Sequence, residues 1–314
     1  MITVDRLSRR YGDFKAVEDV SFHIGPGEVV GLLGHNGAGK TTIMKILTGF
    51  LEPSAGHIRL DGLDPEQSSQ EVRRQIGYLP ENCPVYPEME VVDYLEFQAA
   101  LHGVEEKARP AAIRRAIART ALEAKALAPI ATLSRGYRQR VGVAQAILHQ
   151  PKVLILDEPT NGLDPSQIQH MRELIRELAQ SATILLSTHI LQEVQAVCDR
   201  VLILRAGRLV LDARLAELAA TRHLGLTTNL PPDRLQSQLG QLPGVATVEH
   251  RSPWGSPSSH HRYRLMAPHL NIDELADQAA RTVMEAGGAL YGLQGEIRDL
   301  ETVFGEVNQG VFHA

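Results

Sequence analysis

A glycine-rich stretch near the start of the chain contains the residue types that bind phosphate groups. It fits the pattern G-x-x-x-x-G-K-[ST], ending in Lys40 and Thr41, between a predicted strand (residues 29–33) and a predicted helix that begins near residue 43. In that context the backbone N–H groups form an anion site, the lysine reaches the β- and γ-phosphates, and the hydroxyl binds Mg²⁺. The alternative is a glycine-rich turn that holds no ligand. The predicted phosphate-binding residues are Gly34, His35, Asn36, Gly37, Ala38, Gly39, Lys40, Thr41 and Thr42.

Two carboxylates directly follow another apolar run. Val153–Leu156 has the continuous apolar pattern of a strand that is buried on both faces of a parallel sheet, and Asp157 and Glu158 come next. Such sheets bind ligands at the carboxyl ends of their strands. We therefore expect Asp157 to hold Mg²⁺, directly or through water, and Glu158 to polarise the attacking water. An acidic turn without a ligand is the alternative.

Two further side chains are candidates from their positions alone. His189 follows the predicted strand Thr183–Ser187, so it should end at the same sheet edge as the carboxylates. It either contacts a γ-phosphate or is a structural or solvated histidine. Tyr11 lies at a turn after the predicted strand Ile2–Leu7 and either stacks on a base or is a half-exposed aromatic.

Length and composition limit the class of protein. The chain has 314 residues, 43% apolar and 22% charged, which predicts about two packed domains. A net charge of −5 gives no electrostatic reason to expect a nucleic-acid partner. Cys83 and Cys198 fit no ligand spacing and are expected to be reduced thiols. The start, Met1–Arg6, does not resemble a signal peptide, and no apolar run approaches the ~20 residues that span a bilayer.

The pattern along the chain predicts two domains. Residues 1–220 form an α/β domain, and the helical periodicity at about residues 84–150 predicts an all-helical insertion within it. Residues 221–314 show the order β-α-β-β-α-β, which is typical of a ferredoxin-like unit. This second domain is expected to stabilise a dimer; a ligand-sensing role is the alternative. Histidines at positions 250, 260 and 261 lack fixed spacing, so no metal site is predicted there.

Together these motifs resemble the ATP-binding subunit of ABC transporters, over about residues 1–220. Gly34–Thr42 matches the Walker A loop, and Val153–Glu158 matches Walker B with its catalytic glutamate. Leu133–Arg140 matches the signature sequence, although Arg135 replaces the usual glycine and Tyr137 the usual glutamine. Ser134 and Gly136 remain, and the resemblance implies that they face a γ-phosphate.

Shorter motifs extend the resemblance. Gly162–Asp164 matches the D-loop, which places Asp164 among the nucleotide-binding residues. His189 matches the switch histidine and Tyr11 the adenine-stacking aromatic. Glu81 occupies the Q-loop position, from which a glutamate can still bind Mg²⁺ or water but adds negative charge beside the phosphates.

The resemblance implies a P-loop ABC ATPase core with a helical insertion and an antiparallel β subdomain. It implies ATP and Mg²⁺ as cofactors, hydrolysis by Lys40, Glu158 and His189, and a homodimer or heterodimer that sandwiches two ATP molecules. Separate permease subunits would hold the dimer at the cytoplasmic face of the bacterial inner membrane. The variants suggest an ABC-2 exporter, and Leu79–Asn82 is similar to ATPases of gliding motility and copper-enzyme maturation.

Other classes remain as alternatives. A soluble ABC ATPase of DNA repair or translation would usually have two ATPase units or a long coiled coil, and neither is visible. A non-hydrolysing regulator is disfavoured by the intact carboxylate pair. A GTPase is disfavoured because the chain lacks an Asn-Lys-x-Asp guanine motif.

Overall fold

The computed structural model describes residues 1–65, 67–220, 222–251, 260–267, 271–297 and 300–309. These residues form thirteen strands and eleven α-helices. The strands are β1 Ile2–Tyr11, β2 Phe14–Ile24, β3 Val29–Leu33, β4 Ala55–Leu60, β5 Ile76–Leu79, β6 Val153–Asp157, β7 Thr183–Ser187, β8 Arg200–Arg205, β9 Arg208–Arg214, β10 Arg222–Thr228, β11 Thr247–Arg251, β12 His261–Met266 and β13 Leu290–Ile297. The helices are α1 Lys40–Leu47, α2 Ser69–Gln75, α3 Val91–Leu101, α4 Arg109–Arg119, α5 Arg135–Ile147, α6 Pro165–Ala179, α7 Leu191–Val197, α8 Leu215–Ala220, α9 Pro232–Gly240, α10 Ile272–Glu285 and α11 Leu300–Gln309.

The chain divides into two compact units between Arg214 and Leu215. The sequence places the boundary at residue 220, whereas the short helix α8 groups with the second unit. Among the described residues, no helix has both the length and the apolar character needed to cross a bilayer.

A six-stranded sheet forms the centre of the first unit. Its order is β5-β6-β7-β3-β8-β9, and every neighbouring pair is parallel except the hairpin β8–β9. Every residue of β3, β6 and β7 is buried, which explains their continuous apolar sequences. Because these strands are parallel neighbours, the segments that follow them meet at one sheet edge.

A smaller antiparallel sheet, in the order β2-β1-β4, shares a hydrophobic core with the central sheet. Ile2 and Val4 of β1 pack in the same cluster as Leu32 of β3 and Ile43 of α1. This sheet is the antiparallel β subdomain that the sequence analysis predicts.

The insertion between β5 and β6 is helical, as expected. It contains α3, α4 and α5, with short 3₁₀ turns between them. Apolar periodicity in the sequence predicts its last helix over Val141–Leu148, but that start is wrong, because α5 begins at Arg135. The side chain of Ser134 accepts a bond from the backbone N–H of Tyr137 (3.4 Å) and so caps a polar first turn that lacks apolar periodicity.

The second unit has the predicted ferredoxin-like order. Its antiparallel sheet runs β11-β12-β10-β13 and packs with α9 and α10 around an apolar core. The sequence predicts a loop over Ser252–His261, and its residues 252–259 lie outside the described residues, as does Asp299. His250 and His261 lie on neighbouring strands, with Nε2 and Nδ1 3.2 Å apart.

Candidate active site

The glycine-rich loop connects β3 to α1, as the motif requires. A Cβ atom at Gly34 would lie 2.7 Å from the carbonyl oxygen of Leu204, and one at Gly39 would lie 2.6 Å from that of Ala16. Gly39 also has a φ of +107°. Only glycine is compatible with these approaches, because a side chain would displace a strand on either side of the loop.

The side chain of Lys40 folds back across this loop. It is buried, and its Nζ donates to the carbonyl oxygens of Gly34 (2.6 Å) and His35 (3.3 Å). Burial lowers the pKa of Lys40, while the negative charges of Glu158, Asp157 and Glu81 act to raise it. The lysine and three predicted acidic residues therefore occupy one electrostatic site.

Asp157 ends β6 opposite Ser187, the last residue of β7. The hydroxyl of Ser187 donates to Oδ1 of Asp157, whereas Oδ2 is buried without a hydrogen-bond partner. Burial raises the pKa of Asp157 above its ordinary value, and Glu81 and Glu158 add to this shift. A buried carboxylate oxygen without a donor fits a bound cation, and oxygen ligands are those that Mg²⁺ prefers.

Glu158 follows in a left-handed backbone conformation, with φ at +51°. This conformation costs roughly 1–2 kcal/mol for a residue with a side chain. Oε2 of the buried Glu158 lies 2.9 Å from Nδ1 of the exposed His189. The acidic residue and the histidine therefore meet at the strand edge, as predicted.

Two contacts to the backbone of Glu158 are not predicted from the sequence. Besides its bond to Asp157, Ser187 accepts the backbone N–H of Glu158 at its carbonyl oxygen (3.1 Å). Gln139 of α5 donates to the carbonyl oxygen of Glu158 (3.3 Å). In the sequence, Ser187 ends the strand directly before Thr188 and His189, so parallel register could have placed it opposite Asp157. No local sequence pattern connects residue 139 with residue 158.

The remaining predicted binding residues range from buried to exposed. Glu81 is exposed beyond β5, although its charge affects the pKa values of Lys40 and Asp157. Tyr11 ends β1 with 47% of its surface exposed, and the Arg9 guanidinium lies 5.0 Å from its ring centroid. His35, Asn36 and Gly37 of the loop are exposed, Ala38 is buried, and Thr41 and Thr42 are half-buried.

The signature and D-loop residues form a second cluster. Ser134 caps α5, and a Cβ atom at Gly136 would lie 2.5 Å from Oε1 of Gln167 in α6. Asp164 caps α6 by accepting the backbone N–H of Gln167 (2.9 Å) and the hydroxyl of Ser166 (2.7 Å). These bonds lower the pKa of Asp164. Its carboxylate is thus a helix cap, and its predicted contact with nucleotide stays a prediction.

The cysteines play no part in these contacts. Both are free, and burial raises the pKa of Cys83 to about 11 and that of Cys198 further. They are inert as nucleophiles near neutral pH because the thiolate is the reactive form.

A glycine loop between a strand and a helix, a lysine folded across it and an acidic pair at the end of β6, which β7 separates from β3, define a P-loop nucleoside triphosphatase. The ABC transporter family profile matches residues 17–161. A curated relative, the ABC transporter ATP-binding protein YxlF of Bacillus subtilis, is 36% identical over 253 residues, which cover 81% of this chain and 84% of that protein. The chain belongs to the ATP-binding subunits of ABC transporters, which are ATPases.

Two other relatives support the same family. The Nod factor export ATP-binding protein I of Burkholderia pseudomallei is 38% identical over 212 residues, covering 67% of this chain and 70% of that protein. A solved structure of the ATP-binding subunit of an ABC transporter has a TM-score of 0.65 and 34% identity, covering 69% of this chain and 91% of that one. The predicted family and fold class are therefore confirmed.

Proposed function

We propose that this chain is the ATP-hydrolysing subunit of an ABC-2-type exporter, working as a dimer on separate permease subunits at the cytoplasmic face of a bacterial inner membrane. The observation that carries the ATPase chemistry is the buried Glu158 carboxylate, held 2.9 Å from His189 beside Lys40. The export role is supported by the relative that is named for Nod factor export.

Each residue of the site has one task in this proposal. The loop amides and Lys40 bind the β- and γ-phosphates, and Tyr11 stacks on the adenine. Asp157 and Thr41, with Glu81 through water or directly, would hold Mg²⁺, which neutralises charge on the transferred phosphoryl group. Glu158 accepts the proton of the attacking water, and His189 orients that carboxylate and contacts the γ-phosphate.

The second cluster serves a second copy of the subunit. Ser134 caps α5 and Gly136 lies in its first turn, so the Ser134 hydroxyl and the backbone N–H groups of that turn are suited to an anion. We propose that they bind the γ-phosphate of the partner subunit's ATP, with Asp164 beside them. Because those contacts need the γ-phosphate, hydrolysis would release them and open the dimer. The C-terminal unit is proposed to stabilise this dimer.

The decisive experiment replaces the general base. Glu158→Gln should bind ATP with unchanged affinity and accumulate as an ATP-bound dimer, while kcat falls by at least about 100-fold. Phosphate release measures kcat, and size-exclusion chromatography with ATP measures the ATP-bound dimer. Glu173→Gln, on the exposed face of α6, is the matched control and should behave as the wild type. Near-normal hydrolysis by Glu158→Gln would overturn the assignment.

The membrane partner needs a separate test, because the soluble DNA-repair or translation class shares the same chemistry. The ATP-trapped Glu158→Gln protein should copurify from detergent-solubilised membranes with an integral membrane protein. Copurification with ribosomes or DNA would favour the soluble class instead.

A further inference from the structure

Gln139 connects helix α5 to the backbone of the predicted general base. It lies in the second turn of α5 with only 7% of its surface exposed. Its Nε2 donates to the carbonyl oxygens of Glu158 and Pro159, each at 3.3 Å. A buried amide must satisfy its donors, so this side chain fixes the distance between α5 and the segment that follows β6.

The backbone of Glu158 needs support because of its conformation. With φ at +51°, it lies in the left-handed region that disfavours residues with a side chain. Its N–H donates to the carbonyl oxygen of Ser187 (3.1 Å), and its carbonyl accepts from the N–H of Asn161 (3.1 Å) as well as from Gln139. The direction of the carboxylate depends on this backbone, so a group that holds the carbonyl also aims the side chain.

Two more approaches link the first turn of α5 to the same segment. A Cβ atom at Gly162 would lie 2.6 Å from Nε of Arg135, and one at Gly136 would lie 2.5 Å from Oε1 of Gln167. The first two turns of α5 therefore lie against residues 158–167 at three places. A displacement of this helix cannot leave Glu158 unmoved while these contacts persist.

We propose that Gln139 is a positioning residue that holds Glu158 in its left-handed conformation and transmits movements of α5 to its carboxylate. Since Ser134 caps α5 and Gly136 lies in its first turn, nucleotide contacts made there would align the general base of the same chain. This inference rests on the proposed role of Glu158 as the base. It assigns to Gln139 no contact with substrate.

The test compares two glutamines of one helix. Gln139→Met keeps the size of the side chain but removes both donated bonds. Gln145→Met is the matched control, because Gln145 makes the same kind of contacts elsewhere, donating to the carbonyl of Tyr78 (3.4 Å) and accepting from the hydroxyl of Tyr94 (2.9 Å). Gln139→Met should lower kcat about tenfold with KM for ATP unchanged. The two variants should lower Tm by similar amounts. Gln145→Met, however, should keep kcat within about twofold of the wild type. Equal losses of kcat in the two variants would overturn the proposal.

A third variant supplies a readout that packing alone does not give. Gln139→Glu has no donor when its carboxyl is ionised, whereas the protonated carboxyl has one O–H that can reach the Glu158 carbonyl. Because burial favours the protonated form, its kcat relative to the wild type should recover as the pH falls from about 8 to about 6. The corresponding ratio for Gln139→Met should stay constant. A constant ratio for both variants would contradict the proposal.

The outcomes of these experiments distinguish a failure of the proposed role of Gln139 from a failure of the proposed function. If Glu158→Gln retains hydrolysis, the proposed function itself fails. If Glu158→Gln abolishes turnover but Gln139→Met matches Gln145→Met, only the role of Gln139 is overturned.

Discussion

The two compact units bury different kinds of side chain. The first unit buries charged residues, including Lys40, Asp157 and Glu193, whereas the buried polar side chains in the described part of the second unit are His223 and Thr228. A buried charge is costly unless it is paired or has a ligand. The contrast indicates that the first unit contains the chemical site and that the second is held together by its apolar core.

The buried charges of the first unit are themselves of two kinds. Glu193 of α7 is paired with Arg172 of α6 through two bonds, at 2.7 and 3.1 Å, so its charge is compensated within the fold. Asp157 has one oxygen without a hydrogen-bond partner, and Lys40 donates to neutral carbonyls. Such incomplete compensation is expected where a ligand completes the site.

The largest expected effect is the loss of nucleotide binding when Lys40 is removed. Lys40→Ala should weaken ATP affinity by about 10- to 100-fold, the value of a charge-assisted hydrogen bond to phosphate, and should abolish detectable hydrolysis. Calorimetric titration with ATP measures the affinity. Lys45→Ala, on the exposed side of the same helix, is the matched control. Unchanged ATP binding by Lys40→Ala would show that this buried charge of the first unit does not bind the nucleotide, and would refute the contrast between the units.

Asp157→Asn should separate activity from stability. Burial raises the pKa of Asp157, so the folded chain keeps its proton to higher pH than the unfolded chain, and stability falls as the pH rises through that window. The amide can still accept from Ser187 and carries no charge. We therefore expect Mg²⁺-dependent hydrolysis to be lost while the Tm of the nucleotide-free protein near pH 7 rises by about 2–4 °C, on the order of 1 kcal/mol. Calorimetry without nucleotide measures this, and a lower Tm for the variant would show that the carboxylate stabilises the fold.

Two stacked histidines elsewhere in the first unit should make its stability sensitive to acid, which is a smaller expected effect than the loss of hydrolysis. His149, after α5, stacks on His102, after α3, with ring centroids 4.0 Å apart and an interplanar angle of 5°. Burial, with a contribution from His102, lowers the pKa of His149 from 6.5 to about 4. The unfolded chain therefore binds the extra proton between these values, so stability is lost as the pH falls through that range, by at most about 3 kcal/mol.

His149→Gln should remove this acid sensitivity, since an amide can still donate to the carbonyl of Ile76. Urea unfolding at about pH 7 and about pH 4.5 should show a smaller loss for the variant than for the wild type. His57→Gln, at an exposed position of β4, should leave the loss unchanged. An equal loss in all three proteins would exclude His149 as the responsible group.

The contrast between the units also shows what a sequence can predict. The loop and the acidic pair could be recognised because their spacing is local and the strands before them are continuously apolar. The contact between Asp157 and Ser187 depends on the register of two parallel strands about 30 residues apart, and the bond from Gln139 to Glu158 depends on how α5 packs. Contacts of this kind follow from tertiary structure, which periodicity does not encode.

Element boundaries were missed for a related reason. The start of α5 is set by the cap at Ser134 and not by apolar spacing, so the pattern detects this helix only from Val141 onward. The order of elements in the second unit was predicted correctly, because each of its strands and helices has its own apolar pattern.

The smallest expected effect tests whether the second unit is chemically silent. Tyr263 is fully buried in β12, and its hydroxyl donates to the carbonyl of Leu230 at 2.7 Å, while burial raises its pKa to about 12. Tyr263→Phe leaves that carbonyl without its donor and should cost about 1–2 kcal/mol of stability, measured by urea unfolding. Tyr291→Phe, at an exposed position of β13, should cost nothing measurable. Because the second unit buries no charge that awaits a ligand in its described part, both variants should keep the kcat of the wild type within about twofold. A fall in kcat confined to Tyr263→Phe, at equal ATP affinity, would show that the packing of the second unit acts on the chemistry of the first.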